Sequence, residues 1–352
     1  MLRILKIASA FIGIIVGAGF ASGQEILQYF TSFGYMGTAA AIVATAFFAY
    51  LGMVLTKLGS RTQTTSHKEV IYWVSGRHIG VIVDYVIIFT LFSVGVVMIA
   101  GAGSILHQQF GLSPFVGSLI LTILIILTVM LNIQRVIAVI GSITPFLILT
   151  IIIISVYSLL TMDSSFAQLN PVAKEVDTTL PNWFISAVNY VSFNIAVGAA
   201  MSLVMGGAEK NERVASIGGF LGGFGLGVLI LLSHLAIFSK VDTVAAFDMP
   251  MLKIIDDISP SLAVFMSFVL FGMIFNTGVS MFYAFTARFV EMRTKSANIF
   301  IVVVATIGFI ASFVGFTDLV AFFYPLIGYL GLFLVGALIY APFKMAKHKK
   351  NS

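Results

Sequence analysis

The sequence predicts an all-α, polytopic membrane protein with ten transmembrane helices, built as two five-helix repeats of opposite orientation. Three observations carry this expectation. First, 59% of the 352 residues are hydrophobic and only 9% are charged, with a mean hydropathy of +1.08. A soluble fold of this length could not hide so much apolar surface. Second, the basic residues sit in alternate loops. With both termini in the cytoplasm, only Lys174, Lys240 and Lys253 of the 19 Lys and Arg fall outside, which is the pattern of the positive-inside rule. Third, the two halves correspond in layout. Each has five apolar spans, a tight turn after its first span, and a polar connection with a short helix between its second and third.

The chain divides accordingly. Residues 1–161 form the first repeat, 162–182 an external connecting loop, 183–342 the second repeat, and 343–352 a basic cytoplasmic tail. The first span is the apolar run 4–33, about 30 residues against the roughly 20 a helix needs to cross the bilayer core. It is too long for a cleavable signal, and more helix follows its Ala-Ser-Gly. A turn at 32–37 leads to a second span ending near residue 58. A polar stretch, 59–80, contains a short interfacial helix at 67–74. Spans follow at 81–106, at about 114–132 and, with Pro145 inside it, at 136–160. In the second half they fall at 183–206, 214–238, 262–290, 299–316 and 319–341, with a short helix at 251–258. Five spans is an odd number, so the second copy enters from the opposite side. Pro325 lies 180 positions after Pro145, and Gly198 lies 181 after Gly17.

The chemistry concentrates at residues 16–25, VGAGFASGQE. Gly17, Gly19 and Gly23 fall near the middle of the first span, where irregular backbone survives only if protein or an aqueous cavity covers it. A helix broken there presents carbonyls of its first half to cations and amides of its second half to anions. The alternative is a continuous helix made glycine-rich for close packing. A partner break is expected in the sixth span at Asn194 and Gly198. Glu25 admits two readings that do not exclude each other. An acid within a membrane span suggests a proton carrier or ligand partner. Ser22-Gly23-Gln24-Glu25 also fits a capping box. Asp84, near the cytoplasmic end of the third span, reads as half of an ion pair with Arg61, Arg77 or Arg135. His234 reads as a hydrogen-bonded packing residue. Phe20, Tyr190, Phe193, Tyr283 and Tyr324 are aromatic candidates for a cavity wall, Phe20 and Phe193 foremost because they lie beside the expected breaks. The chain has no cysteine, so thiolate metal sites and disulfides are excluded. Neither a metal-ligand cluster nor a nucleophile–base pair appears in the spans, which argues against an enzyme. The net charge of +5 reflects topology and not nucleic-acid binding.

The motif GAGFASGQE at residues 17–25 resembles the first-helix motif of YkvI-like bacterial membrane proteins. These resemble in turn the amino acid–polyamine–organocation superfamily and its LeuT-type fold of five plus five helices, the first and sixth discontinuous. The resemblance covers essentially the whole chain in span layout. Its Gly-x-Gly is shared widely, and the ASGQE extension is the more specific part. It implies secondary transport in the cell membrane, by alternating access, of a small amino-acid-like or organic solute. The solute would lie against Gly17, Ala18, Gly19, Phe20, Ala21 and Ser22 of the first span and Phe193, Asn194 and Gly198 of the sixth. A carboxylate on it would meet free amides at residues 19–22. Carried over by position, the carbonyls of Gly13 and Val16 and the hydroxyl of Thr277 would hold Na⁺, joined by Asn276 or Ser280. The fifth span contains no Lys or Arg to take the ion's place, so Na⁺ is preferred to H⁺ as coupling ion. Proton coupling through Glu25 and a solute receptor on the same fold are the alternatives. No further cofactor is expected, and the partners are the solute, the ion and the lipid bilayer.

Overall fold

The computed structural model describes residues 1–64, 67–130 and 144–350, and every regular element among them is helical. Seven of these helices are long and apolar enough to cross a membrane: Tyr35–Thr62, Gly80–Phe110, Trp183–Gly207, Glu212–Phe238, Pro260–Phe289, Lys295–Val314 and Phe316–Ala341. Pro114–Met130 and Ile148–Leu160 are shorter apolar helices. The chain is a multi-pass membrane protein. The expected end of the fourth span and start of the fifth, near residues 131–143, lie outside the described residues.

The first apolar run is interrupted twice. Helix α1, Leu2–Ile15, ends at Val16, whose amide returns to the carbonyl of Ile12 (2.7 Å). Val16 and Gly17 are extended, and α2 resumes at Ala18–Ser22. Gly23 then turns left-handed (φ 85°) and starts α3, Gln24–Tyr29. A side chain at Gly23 would be strained at that φ and would also press on Met251 and Ile237. The turn after α3 closes on Gly34, again at positive φ, and leads into α4, Tyr35–Thr62.

Helix α5, His67–Phe110, is bent at Gly76, where the backbone leaves helical geometry (φ 76°) and sets its first segment apart from the apolar span. Helices α6, Pro114–Met130, and α7, Thr144–Leu160, follow. The polar connection between the halves forms a further helix, α8, Phe166–Lys174, capped by reciprocal bonds between Ser165 and Gln168. The second half begins with α9, Trp183–Gly207, capped by the Asn182 side chain. Helix α10, Glu212–Phe238, is capped by Asn211. Two short helices, α11, Val241–Val244, and α12, Pro250–Ile258, lead into α13, Pro260–Phe289. Helices α14, Lys295–Ala311, and α15, Phe316–Lys350, complete the chain.

The expected break in the sixth span is not there: α9 runs without interruption from Trp183 to Gly207. Gly198 serves close packing instead, since a Cβ on it would overlap the Ile15 side chain at the end of α1. The Asn194 side chain donates to the carbonyl of Tyr190 one turn back (3.0 Å), a bond satisfied inside an intact helix.

Small residues set how the bundle packs. On α10, Gly219, Gly223 and Gly227 face Gly52, Phe48 and Thr45 of α4, each close enough that a Cβ would collide with the neighbour. Thr56 adds a hydroxyl shared between the carbonyls of Gly52 (2.9 Å) and Ala215 (2.8 Å). In lipid, where helices gain little from excluding water, such close backbone contact and interhelical bonding supply the association.

Candidate functional site

The ends of α1 and α2 meet a cavity of about 670 Å³ in the middle of the bundle. Its wall comes from Ser9 to Gly19 of the first run, Glu25 of α3, Phe193 to Met201 of α9, Met273 to Met281 of α13, Val94 and Met98 of α5, and Tyr324 of α15. Ser9, Ala10 and Met201 are exposed, and they lead outward to the end of the bundle that carries the N-terminus. A second cavity of about 380 Å³ adjoins it there, sharing Val197 and Met281, and has Asp84 and Arg288 on its wall. These two side chains form an ion pair. The expected ion pair of Asp84 therefore exists, with Arg288 of α13 as its partner; of the arginines expected, the Arg77 side chain and Arg135 lie outside the described residues. Arg288, distant in sequence, is brought to Asp84 by packing of α13 on α5.

The other end is closed by polar bonds. Asp248, just ahead of α12, accepts from Ser104 of α5 (2.7 Å) and Thr317 of α15 (2.5 Å). Gln108 and the backbone of Met249 exchange two bonds (3.1 and 3.0 Å), and Gln28 of α3 donates to the carbonyl of Thr317 (3.2 Å). Met251 of α12 sits against Gly23. Nothing in the sequence alone pairs these residues, which are up to 289 positions apart.

The sequence-predicted site residues divide into two groups. Gly13, Val16, Asn276, Thr277 and Ser280, from two distant stretches, line the same cavity, as do Gly17, Gly19, Glu25, Phe193 and Asn194. The carbonyls in the last turn of α1 have no continuing helix to bond, and the Asn276 Oδ1 is buried with no hydrogen-bond partner. Phe20, Ala21, Ser22 and Gly198 are off the wall; the first three are buried in the surrounding packing. The Ala18 side chain lies outside the described residues. The amide of Ala21 already bonds the carbonyl of Gly17 (3.1 Å) and that of Gly23 the carbonyl of Phe20 (3.0 Å). Of the amides at residues 19–22, that of Ala21 is therefore taken, and the free ones are confined to the first turn of α2, which includes Gly19 and Phe20.

The capping box does not form. The Ser22 hydroxyl accepts from the amide of Gln24 (3.1 Å) and donates to the carbonyl of Gly19 (2.7 Å). Because Gly23 ends α2 and starts α3, Glu25 stands one residue too early for the reciprocal bond. Its Oε2 instead accepts from the Tyr190 hydroxyl of α9 (3.1 Å), and its carboxylate lies over Gly19, where a Cβ would overlap it. Tyr190 is held by edge contacts with Phe30 and Phe48 and packs on Tyr29 at 5.0 Å. The Tyr29 hydroxyl donates to Asn189 (3.2 Å), which donates to the carbonyl of Pro325 (2.9 Å). Phe193 stacks on Tyr324 at 4.2 Å on the cavity wall. The sequence offers Tyr324 only as one aromatic among several, and its pairing with Phe193 has no local signal. His234 is a packing residue, with Thr31 and Thr38 hydroxyls on its two ring nitrogens (3.1 and 3.0 Å).

A multi-pass helical bundle with a broken first helix beside a central cavity is the architecture of LeuT-type membrane transporters, and the comparison of folds agrees. The chain matches solved structures of MhsT in complex with L-phenylalanine (TM-score 0.61, 17% identity, 94% of this chain and 88% of that one). It also matches a mutant of the Eremococcus coleocola manganese transporter (0.60, 14%, 97% and 78%) and Mhp1 in an inward-facing conformation (0.57, 13%, 97% and 76%). At these identities the likeness is one of fold. Among curated proteins it is similar to membrane protein YkvI of Bacillus subtilis (strain 168), 28% identical over 337 residues covering 95% of this chain and 94% of that one. YyaD of the same organism is 27% identical over 334 residues, 94% of each. No family model matches. The chain is thus similar over nearly its whole length to YkvI and YyaD, and it has the LeuT-type fold of these solved transporters.

Proposed function

We propose that the protein is a secondary transporter that moves a small amino-acid-like or organic solute by alternating access, driven by Na⁺. The observation that carries this reading is the shared cavity into which the broken first helix, α9 and α13 all project. We read the seven long helices, the two shorter ones and the α1–α3 run as ten crossings in two inverted sets of five, with both termini in the cytoplasm of a cell-membrane protein. In that orientation the cavity opens inward and the bonds of Asp248 and Gln108 close the outer side. The solute occupies the space between Gly17, Gly19, Phe193 and Asn194. Na⁺ lies between the carbonyls of Gly13 and Val16 and the hydroxyl of Thr277, with Asn276 and Ser280 beside it. Hard oxygen donors replace the ion's water shell, and the unpartnered Oδ1 of Asn276 is a donor of that kind.

The test is uptake into proteoliposomes under an imposed Na⁺ gradient, with solutes chosen by thermal stabilisation of the purified protein. Uptake should rise with the Na⁺ gradient and collapse when K⁺ replaces Na⁺. Equal rates in K⁺ would overturn the coupling, and tight binding without uptake under any gradient would make the protein a receptor.

A further inference from the structure

The cavity wall is unbalanced in its hydrogen-bonding groups. Among the described residues it contains no Lys, Arg or His, and Glu25 is its one ionisable carboxylate. Glu25 is 4% exposed, and only its Oε2 is engaged, by the Tyr190 hydroxyl. The Asn276 Oδ1 adds an acceptor with no donor. The carbonyl end of α1, a helix of 14 residues, adds the negative pole of its dipole. Against these stand the amides of α2, a helix of five residues, and neutral hydroxyls from Ser9, Thr277, Ser280 and Tyr324, none of which carries a positive charge. Because α9 is unbroken, it supplies no second set of free amides. No fixed positive charge on the wall faces the Glu25 carboxylate. A buried carboxylate with no cationic neighbour is costly unless it takes up a proton or a cation joins it.

We infer that Glu25 is a specificity-determining residue that binds a protonated amino group on the solute directly, and that the site takes amines and zwitterions while rejecting solutes that carry only a carboxylate. The inference rests on the transport reading for its meaning, but not for its test. The free Oε1 accepts from the ammonium, and Tyr190, bonded to Oε2, holds the carboxylate in place. The stacked rings of Phe193 and Tyr324 border the same space, and their π faces tolerate a cation and its alkyl chain. Gly19 leaves room for the carboxylate because any side chain there would displace it.

The chain lacks cysteine, so a single Met273→Cys on the cavity wall gives an unambiguous probe. Its labelling rate by the cationic reagent 2-(trimethylammonium)ethyl methanethiosulfonate is compared with that by the anionic 2-sulfonatoethyl analogue, each normalised to a free thiol in solution. The cationic reagent should be favoured by about tenfold or more, as expected for one charge at close range in a medium of intermediate dielectric. Glu25→Gln should remove that preference, whereas Glu25→Asp, which keeps a carboxylate, should retain part of it; labelling of each variant by a neutral methanethiosulfonate at the unaltered rate excludes a folding defect. n-Butylammonium should slow labelling more than butyrate does, and only while Glu25 is present. A preference that survives Glu25→Gln overturns the inference, as does protection by butylammonium no greater than that by butyrate. If the charge preference behaves as expected but no solute is taken up, the transport reading fails and the ammonium site stands; if uptake occurs with an indifferent charge ratio, the transport reading stands and the ammonium site fails.

Discussion

At the scale of single residues, Glu25 and Thr277 separate the two uses proposed for one cavity. Thr277→Val keeps the side-chain shape and removes one oxygen. Ligand-supporting groups one shell further out already change metal affinity about 10- to 100-fold, so Na⁺ binding should weaken by at least about tenfold. Solute binding at fixed Na⁺ should weaken with it, because linkage between the two sites is reciprocal; calorimetric titration of each ligand in the presence and absence of the other measures both. Unchanged Na⁺ affinity would remove Thr277 from the ion site. Gly19→Ala probes the other use. Its methyl group would overlap the Glu25 carboxylate, so the variant should lose about 1–3 kcal/mol, the usual cost of overpacking, together with uptake. Pairing it with Glu25→Ala should restore stability but not uptake. A double variant as unstable as Gly19→Ala alone would show that the overlap is not the cause.

At the scale of elements, the contact between α4 and α10 depends on backbone approach. Gly223 lies so close to the backbone of Phe48 and Ala49 that a side chain has no flexible neighbour to push aside. Gly223→Val should therefore destabilise the protein by more than about 1–3 kcal/mol, lowering its melting temperature in detergent. Gly336, on α15, has open space where a Cβ would stand, with no atom within 4 Å of it. Gly336→Ala should leave the melting temperature unchanged or slightly raised, since alanine is the better helix former. Equal effects at the two positions would mean that close packing is not what holds α4 to α10. The same logic explains α9. A glycine in mid-membrane can mark a break, but Gly198 makes room for Ile15. A glycine's role depends on what stands opposite it.

At the scale of the whole molecule, the proposed ten-crossing topology makes a direct prediction. Cysteine at the exposed Glu175, in the connection between the halves, should react with a membrane-impermeant maleimide on intact cells. Cysteine at the exposed Leu2 should react only after the membrane is opened. Labelling of both positions on intact cells would remove the inverted repeat, because two halves with an odd number of crossings each cannot place these residues on the same side. The seal by Asp248, Ser104 and Thr317 and the Asp84–Arg288 pair lie at opposite ends of this arrangement. Alternating access requires that the first open when the second region closes.

Local rules account for the part of this architecture that was legible in the sequence. Apolar length placed the helices to within a few residues, for instance Trp183–Gly207 and Glu212–Phe238 against the expected 183–206 and 214–238. Glycine spacing located the interruption after Ile15, because backbone freedom is a property of the residue itself. Only the tertiary structure decided what those elements face. It set Glu25 on Tyr190 and left the capping box unmade, since a left-handed Gly23 shifts the helix start by one residue. It kept α9 whole, stacked Phe193 on Tyr324, and chose Arg288 for Asp84. These outcomes join residues from about 130 to more than 200 positions apart, and they rest on packing geometry that no local pattern of polar and apolar residues encodes.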